Sequence, residues 1–189
     1  RPSSVRRYSS TSAKVLPVPA DATTTTFSAC VMARPPLRRP ALEVSPQEWD
    51  ELMAVNLAGT FFMSQQMGRH LIAAGRAGCL ISLASTHGMV GYAQRSTYGI
   101  SKAGIVQMAR TAASEFGPYG VRVNAMAPGV IETPLTVPIK NNPEWFQAYA
   151  AKSVFNRWGR PDEMVGPTLF LASDAASYVT GTVLFADGG

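Results

Sequence analysis

Tyr98 and Lys102 stand four residues apart in the run Tyr98-Gly-Ile-Ser-Lys102, and Ser85 precedes the tyrosine by thirteen positions. Four-residue spacing puts a phenol and an ammonium on one helix face. A phenol with a pKa near about 10 is a poor acid or base at neutral pH, and a cation within about 4–6 Å is the simplest way to favour its ionised form. The spacing therefore predicts a tyrosine acid/base whose pKa is lowered by Lys102. A bare Tyr-x-x-x-Lys occurs by chance in many helices, but Ser85 follows an apolar run, Cys79 to Ala84, of strand length. Open α/β sheets hold their ligands at the carboxyl ends of their strands. There the Ser85 hydroxyl is placed to hydrogen-bond a substrate carbonyl while Tyr98 protonates it; the competing reading is a strand-end serine that only ties up backbone. Asn56 is a polar amide on an apolar helical stripe, where it needs partners once buried. It reads equally as a satisfied structural amide.

The elements that must position these groups are readable around them. Ser45-Pro46-Gln47-Glu48 is a capping box with proline at the first helical position. Trp49, Met53, Leu57, Thr60, Phe61, Ser64, Met67 and Leu71 then recur at helical spacing, predicting one long amphipathic helix that ends near Gly75. Strands are predicted at Cys79 to Ala84, Val121 to Met126 and Val183 to Ala186, with a helix from Ser96 to Phe116. Pro161-Asp162-Glu163 reads as an acidic helix start, and Pro167 within that helix means a late start or a kink. Lys14 to Pro19 is at most an edge strand, since it holds two prolines, and Thr23 to Pro40 reads as irregular chain. Strands alternating with helices of this length make an α/β fold with a parallel sheet.

Five separate patterns, in order and spacing, resemble the short-chain dehydrogenase/reductase family: Asn56; Ser85 with Tyr98 and Lys102; Asn124-Ala-Met-Ala-Pro128-Gly129 with Thr133; Arg157-Trp-Gly-Arg-Pro161; and Thr180-Gly181 with Asp187-Gly188-Gly189. The resemblance covers about residues 41–189 and implies a Rossmann-like parallel sheet with flanking helices. It implies hydride transfer between NAD or NADP and an alcohol/carbonyl pair, on a small sugar acid, polyol or 3-oxoacyl substrate. By motif match, Tyr98 is the general acid or base, and Ser85 polarises the carbonyl. Lys102 lowers the tyrosine pKa and binds the nicotinamide ribose, while Asn56 holds a water that relays protons. Pro128, Gly129, Ile131 and Thr133 match the loop against the nicotinamide side. The family also implies a homo-oligomer built through the two long helices. Its Gly-rich turn, the residue that selects between the two cofactors and its Asn-Asn-Ala-Gly motif have no counterpart between Arg1 and Asn56. The expectation is a catalytic portion truncated at its N-terminus, with residues 1–40 irregular or non-native.

Composition bounds the alternatives. The net charge is +5, but residues 1–40 carry seven basic groups against Asp21 alone, leaving residues 41–189 at about −1. That argues against nucleic acid as a partner. No apolar run reaches the roughly 18 residues of a membrane span. Cys30 and Cys79, without metal-ligand spacing, read as free thiols in a reducing compartment, which points to the cytoplasm. Residues 1–12 are rich in Arg and Ser and free of acids, like a mitochondrial targeting segment, though truncation is the preferred account. The sequence admits two rival functions. A hydrolase using Ser85 and His87 lacks a Gly-x-Ser-x-Gly elbow and an acid placed to orient the histidine. A catalytically inactive paralogue that pairs with complete subunits keeps the same residues by descent.

Overall fold

The computed structural model describes residues 26–30 and 38–189. Among the described residues, four strands form one parallel sheet in sequence order: β1 (Thr26–Cys30), β2 (Gly78–Leu83), β3 (Val121–Pro128) and β4 (Val183–Ala186). Between β1 and β2 run α1 (Pro46–Met53) and α2 (Gly59–Ala73), and α3 (Ser96–Phe116) joins β2 to β3. The return to β4 passes through α4 (Val137–Lys140), α5 (Pro143–Ala150) and α6 (Val165–Ala172).

Alternation along the strands divides two cores. Leu80, Val121, Val123, Ala125 and Ala127 pack with Leu71, Ile105, Val106 and Ala109. Cys79, Ile81 and Met126 pack with Leu171. The sheet is thus covered on both faces, and its carboxyl ends are left to loops.

Two predicted elements differ in the structure, and a third takes one of the two forms expected of it. Thr26–Cys30 is a strand paired in register with Gly78–Ser82, where irregular chain was expected from Thr23 to Pro40. A threonine, a phenylalanine and a cysteine suit a pleated surface, but the partner that holds them lies some fifty residues on, beyond local reading. The possible strand at Lys14 to Pro19 lies outside the described residues. The long helix is interrupted by a π turn, Ala54–Ala58. The stripe that faces inward is Leu52, Asn56, Thr60, Ser64, Gly68 and Leu71, while Trp49 and Phe61 are 37% and 45% exposed. Small polar residues inside let α2 approach α3 closely: a Cβ on Gly68 would lie 2.6 Å from the Phe116 ring. Finally, Pro161–Met164 is a 3-10 turn and α6 begins at Val165, so Pro167 sits in the first turn, where its missing N–H is not needed.

The expected capping box is present. Ser45 Oγ accepts from the Glu48 N–H at 3.2 Å, and Glu48 Oε2 accepts from the Ser45 N–H at 2.9 Å.

Candidate active site

Ser85 lies two residues past the end of β2 and caps the turn Thr86–Gly88, which lies on α3. That approach needs glycine: a Cβ on Gly88 would stand 2.8 Å from the Lys102 backbone carbon and 2.9 Å from the Ala103 nitrogen. The same contact brings Ser85 to Tyr98. The serine is buried, 7% exposed, and its hydroxyl is among the groups that favour the ionised form of the Tyr98 phenol. It also accepts from the His87 N–H at 3.2 Å.

Lys102 is 1% exposed, and its ammonium donates to the Leu83 carbonyl at 2.8 Å, at the end of β2. It lies 5.7 Å from the Tyr98 ring centroid. The expected lowering of the Tyr98 pKa by Lys102 is not what the structure gives. Burial pushes the phenol up, and the opposing influences are the Ser85 hydroxyl and the Arg95 guanidinium. Both groups point inward from the shared helix face, the lysine toward the strand-end carbonyl.

Asn56 is fully buried in the π turn, and its Nδ2 donates to Ser101 Oγ at 3.2 Å. Ser101 in turn donates to the Tyr98 carbonyl at 2.7 Å. The Asn56 carbonyl accepts from Thr60 Oγ1 at 2.7 Å. Its side chain is therefore a brace between two helices, running through a serine that sequence reasoning passed over. Ser101 was identifiable as the inward polar residue three positions after Tyr98, had the neighbouring stripe been known to be polar.

Pro128, Gly129, Ile131 and Thr133 form a half-buried loop off the carboxyl end of β3. Gly129 N–H donates to the Ala186 carbonyl at 3.2 Å, and the loop is bridged to Gly159 at Ile131. The hydroxyls of Thr133 and Thr136 lie 3.4 Å apart. The remaining motif residues are structural braces. Asn124, fully buried, donates to the Val179 carbonyl at 2.9 Å and accepts from the Thr182 N–H at 3.2 Å, tying β3 to the approach of β4. Arg157 grips Glu163 through two bonds of 2.8 and 2.7 Å.

The segment from Thr133 to Trp158 supplies residues that sequence alone did not place. Trp158 is 3% exposed, stacks on Phe146 at 5.1 Å and donates its indole N–H to the Phe146 carbonyl at 3.0 Å. That anchor sets Tyr149 and Lys152 beside His87 and Tyr92 around a cavity of about 210 Å3. His87 stacks on Tyr92 at 4.0 Å and meets Tyr98 edge-on at 5.6 Å. Burial, then the Arg95 and Lys152 cations, lower its pKa to about 4. His87 Nδ1 does come within 3.4 Å of Ser85 Oγ. An imidazole held neutral between two cations is a weak base, and the influences on it are cationic rather than from an orienting acid, so the hydrolase reading gains nothing.

A family model described as enoyl-(acyl carrier protein) reductase matches residues 24–189. The chain belongs to the short-chain dehydrogenase/reductase family. It is 41% identical over 151 residues to galactitol 2-dehydrogenase (L-tagatose-forming) of Cereibacter sphaeroides, covering 79% of this chain and 59% of that protein. It is 36% identical over 152 residues to 2-dehydro-3-deoxy-D-gluconate 5-dehydrogenase of Escherichia coli (strain K12), covering 80% and 60%. A solved gluconate 5-dehydrogenase from Burkholderia cenocepacia J2315, in complex with NADP and tartrate, superposes with a TM-score of 0.80 at 32% identity, covering 83% of this chain and 61% of that one. The chain spans about three fifths of the length of these curated relatives. The Rossmann-like sheet with flanking helices expected from the sequence is the fold of this dehydrogenase/reductase family.

Proposed function

We propose that this site interconverts an alcohol and a carbonyl on a small molecule, with Tyr98 as proton donor or acceptor and NAD or NADP as partner. The observation that carries the reading is the buried Ser85, just past the carboxyl end of β2, whose hydroxyl acts on the Tyr98 phenol. A carbonyl oxygen placed between them takes a hydrogen bond from Ser85 and a proton from Tyr98. A phenol whose pKa burial raises is held protonated at neutral pH, the form needed to reduce a carbonyl. In the opposite direction the same oxygen accepts the alcohol proton.

The residues present fit the nicotinamide and ribose end of a dinucleotide. A buried ammonium, Lys102, stands at the strand ends, and the half-buried hydroxyl of Thr133 and the backbone of Pro128, Gly129 and Ile131 line the loop beyond β3. When bound, the nicotinamide supplies or accepts the hydride. Lys102 would hold the ribose hydroxyls, and the loop would seat the nicotinamide. The Asn56 and Ser101 pair keeps the Tyr98 turn of α3 in place. A water relay at Asn56 remains part of the proposal, with its carbonyl already engaged by Thr60.

Relatives acting on galactitol and on 2-dehydro-3-deoxy-D-gluconate support a polyol or sugar-acid substrate. Exposed Val55, Phe61 and Phe62 along the two-helix layer support the expected homo-oligomer. Among the described residues no helix is long and apolar enough to cross a membrane, and Cys79 is a buried free thiol; with the sequence reading these support a cytoplasmic location. The test is nicotinamide-linked turnover of a panel of polyols and sugar acids. Tyr98→Phe should lower kcat/KM by about 100-fold or more, the scale of general acid–base catalysis. Undiminished turnover in that variant would sink the assignment.

A further inference from the structure

We infer that the cavity beside Ser85 and Tyr98 receives a carboxylate, which Lys152 recognises, and that the substrate is a small hydroxy or keto acid rather than an uncharged polyol. The inference rests on the oxidoreductase reading and narrows its substrate class.

The cavity, about 210 Å3, is lined by Thr86, His87, Tyr92, Tyr149, Lys152 and Asp187 among others. It falls below the roughly 300–1,000 Å3 typical of drug-sized ligands, so it suits a short carbon chain. Lys152 Nζ lies 4.2 Å from the Tyr92 ring centroid and 5.4 Å from that of Tyr149. Two aromatic faces hold the ammonium in place without neutralising it. Among the described residues no carboxylate lies within ion-pair distance of Lys152. The other cation on the wall, Arg157, is taken by Glu163. The cavity's own acid, Asp187, accepts the Gly189 N–H at 3.1 Å.

The surroundings reinforce the sign of the field. Arg95 and Lys152 both oppose protonation of His87, which stays a neutral imidazole beside the Ser85 hydroxyl. Arg95 and Arg38 together hold the Tyr149 pKa below its ordinary value despite burial. Lys152 and Arg157 are the cations that line the cavity, and His87 on its wall joins it to the reacting pair, 3.4 Å from Ser85 Oγ and edge-on to the Tyr98 ring at 5.6 Å. A polyol offers such a wall only neutral hydroxyl acceptors, whereas a carboxylate is the group it favours.

The experiment titrates the full chain with D-gluconate and D-galactonate against the matched polyols D-glucitol and galactitol, read by ligand-detected NMR and, in parallel, by nicotinamide-linked turnover. The acids should bind at least about ten-fold more tightly than their polyols, with a preference that shrinks as salt is raised. Lys152→Met, at an exposed position, should abolish that preference, and Lys152→Arg should retain it. Equal binding of acids and polyols, or a preference that survives in Lys152→Met, overturns the carboxylate inference; turnover lost in Tyr98→Phe would still leave the oxidoreductase reading standing. Acids bound through Lys152 with no Tyr98-dependent turnover uphold the carboxylate site and overturn the catalytic reading. Binding of neither class overturns the inference.

Discussion

Replacing Ser101 with alanine removes one oxygen that joins two helices at the site. Its Oγ accepts from Asn56 Nδ2 at 3.2 Å and donates to the Tyr98 carbonyl at 2.7 Å, and both Ser101 and Asn56 are 0% exposed. A net hydrogen bond contributes about 0.5–1.5 kcal/mol, and a buried donor left without its acceptor costs about 1–3 kcal/mol. The Tyr98 carbonyl lies inside α3 and keeps its helical environment, so the Asn56 amide bears most of the loss. Ser101→Ala should therefore destabilise the fold by about 2 kcal/mol. Asn56→Ala should cost a similar amount, and the double variant less than the sum, because it strands no donor. The coupling expected in the cycle is about 1 kcal/mol. Urea unfolding followed by circular dichroism, compared at a common m-value, measures all four proteins. Additivity of the two single effects within about 0.5 kcal/mol would refute the idea that this bond braces the Tyr98 turn.

Two further outcomes follow from charged groups. Glu163 is held at a pKa of about 2, below its ordinary 4.5, by the Arg157 hydrogen bond first and the Arg160 N–H next. A depressed carboxylate pKa contributes stability that is fully present above the ordinary value and is lost as pH falls toward 2. Glu163→Gln should flatten the thermal midpoint against pH between about 4.5 and 2, and an unchanged slope would remove the assignment. Arg122 donates to the carbonyls of Leu171, Ser173 and Val179 at 2.9, 3.2 and 3.4 Å, capping the end of α6. Arg122→Met should cost about 1.5–3 kcal/mol in urea unfolding, the range for hydrogen bonds to a charged group; a loss below about 0.5 kcal/mol would mean that water serves those carbonyls as well.

What the sequence made legible was local chemistry. The capping box at Ser45, the helix from Ser96 to Phe116 and the strand from Val183 to Ala186 all appear at their expected positions, because each depends on neighbours within a few residues. The π turn did not show, because apolar periodicity marks the outer face of α2 as readily as the inner one when the inner face is Asn56, Thr60 and Ser64. Of the candidate site, Ser85, Tyr98 and Lys102 were read by type and spacing, and the structure buries Ser85 and Lys102 near the end of β2. Tyr149 and Lys152 were not so read, since what places them is the stack of Phe146 on Trp158 across twelve residues of chain.

The same limit explains the tyrosine. Spacing fixes which face of α3 a side chain occupies, but its protonation depends on what that face meets. Lys102 meets the Leu83 carbonyl and donates to it at 2.8 Å. Tyr98 meets Ser85 and lies within the influence of Arg95, both of which favour the phenolate, while burial favours the phenol and prevails. The acid form is thus the resting form, set by the close approach of the Thr86–Gly88 turn to α3 that Gly88 permits. A serine at the end of one strand and a glycine three residues later therefore govern the chemistry of a tyrosine on the next helix, a dependence visible only once the turn is folded onto it.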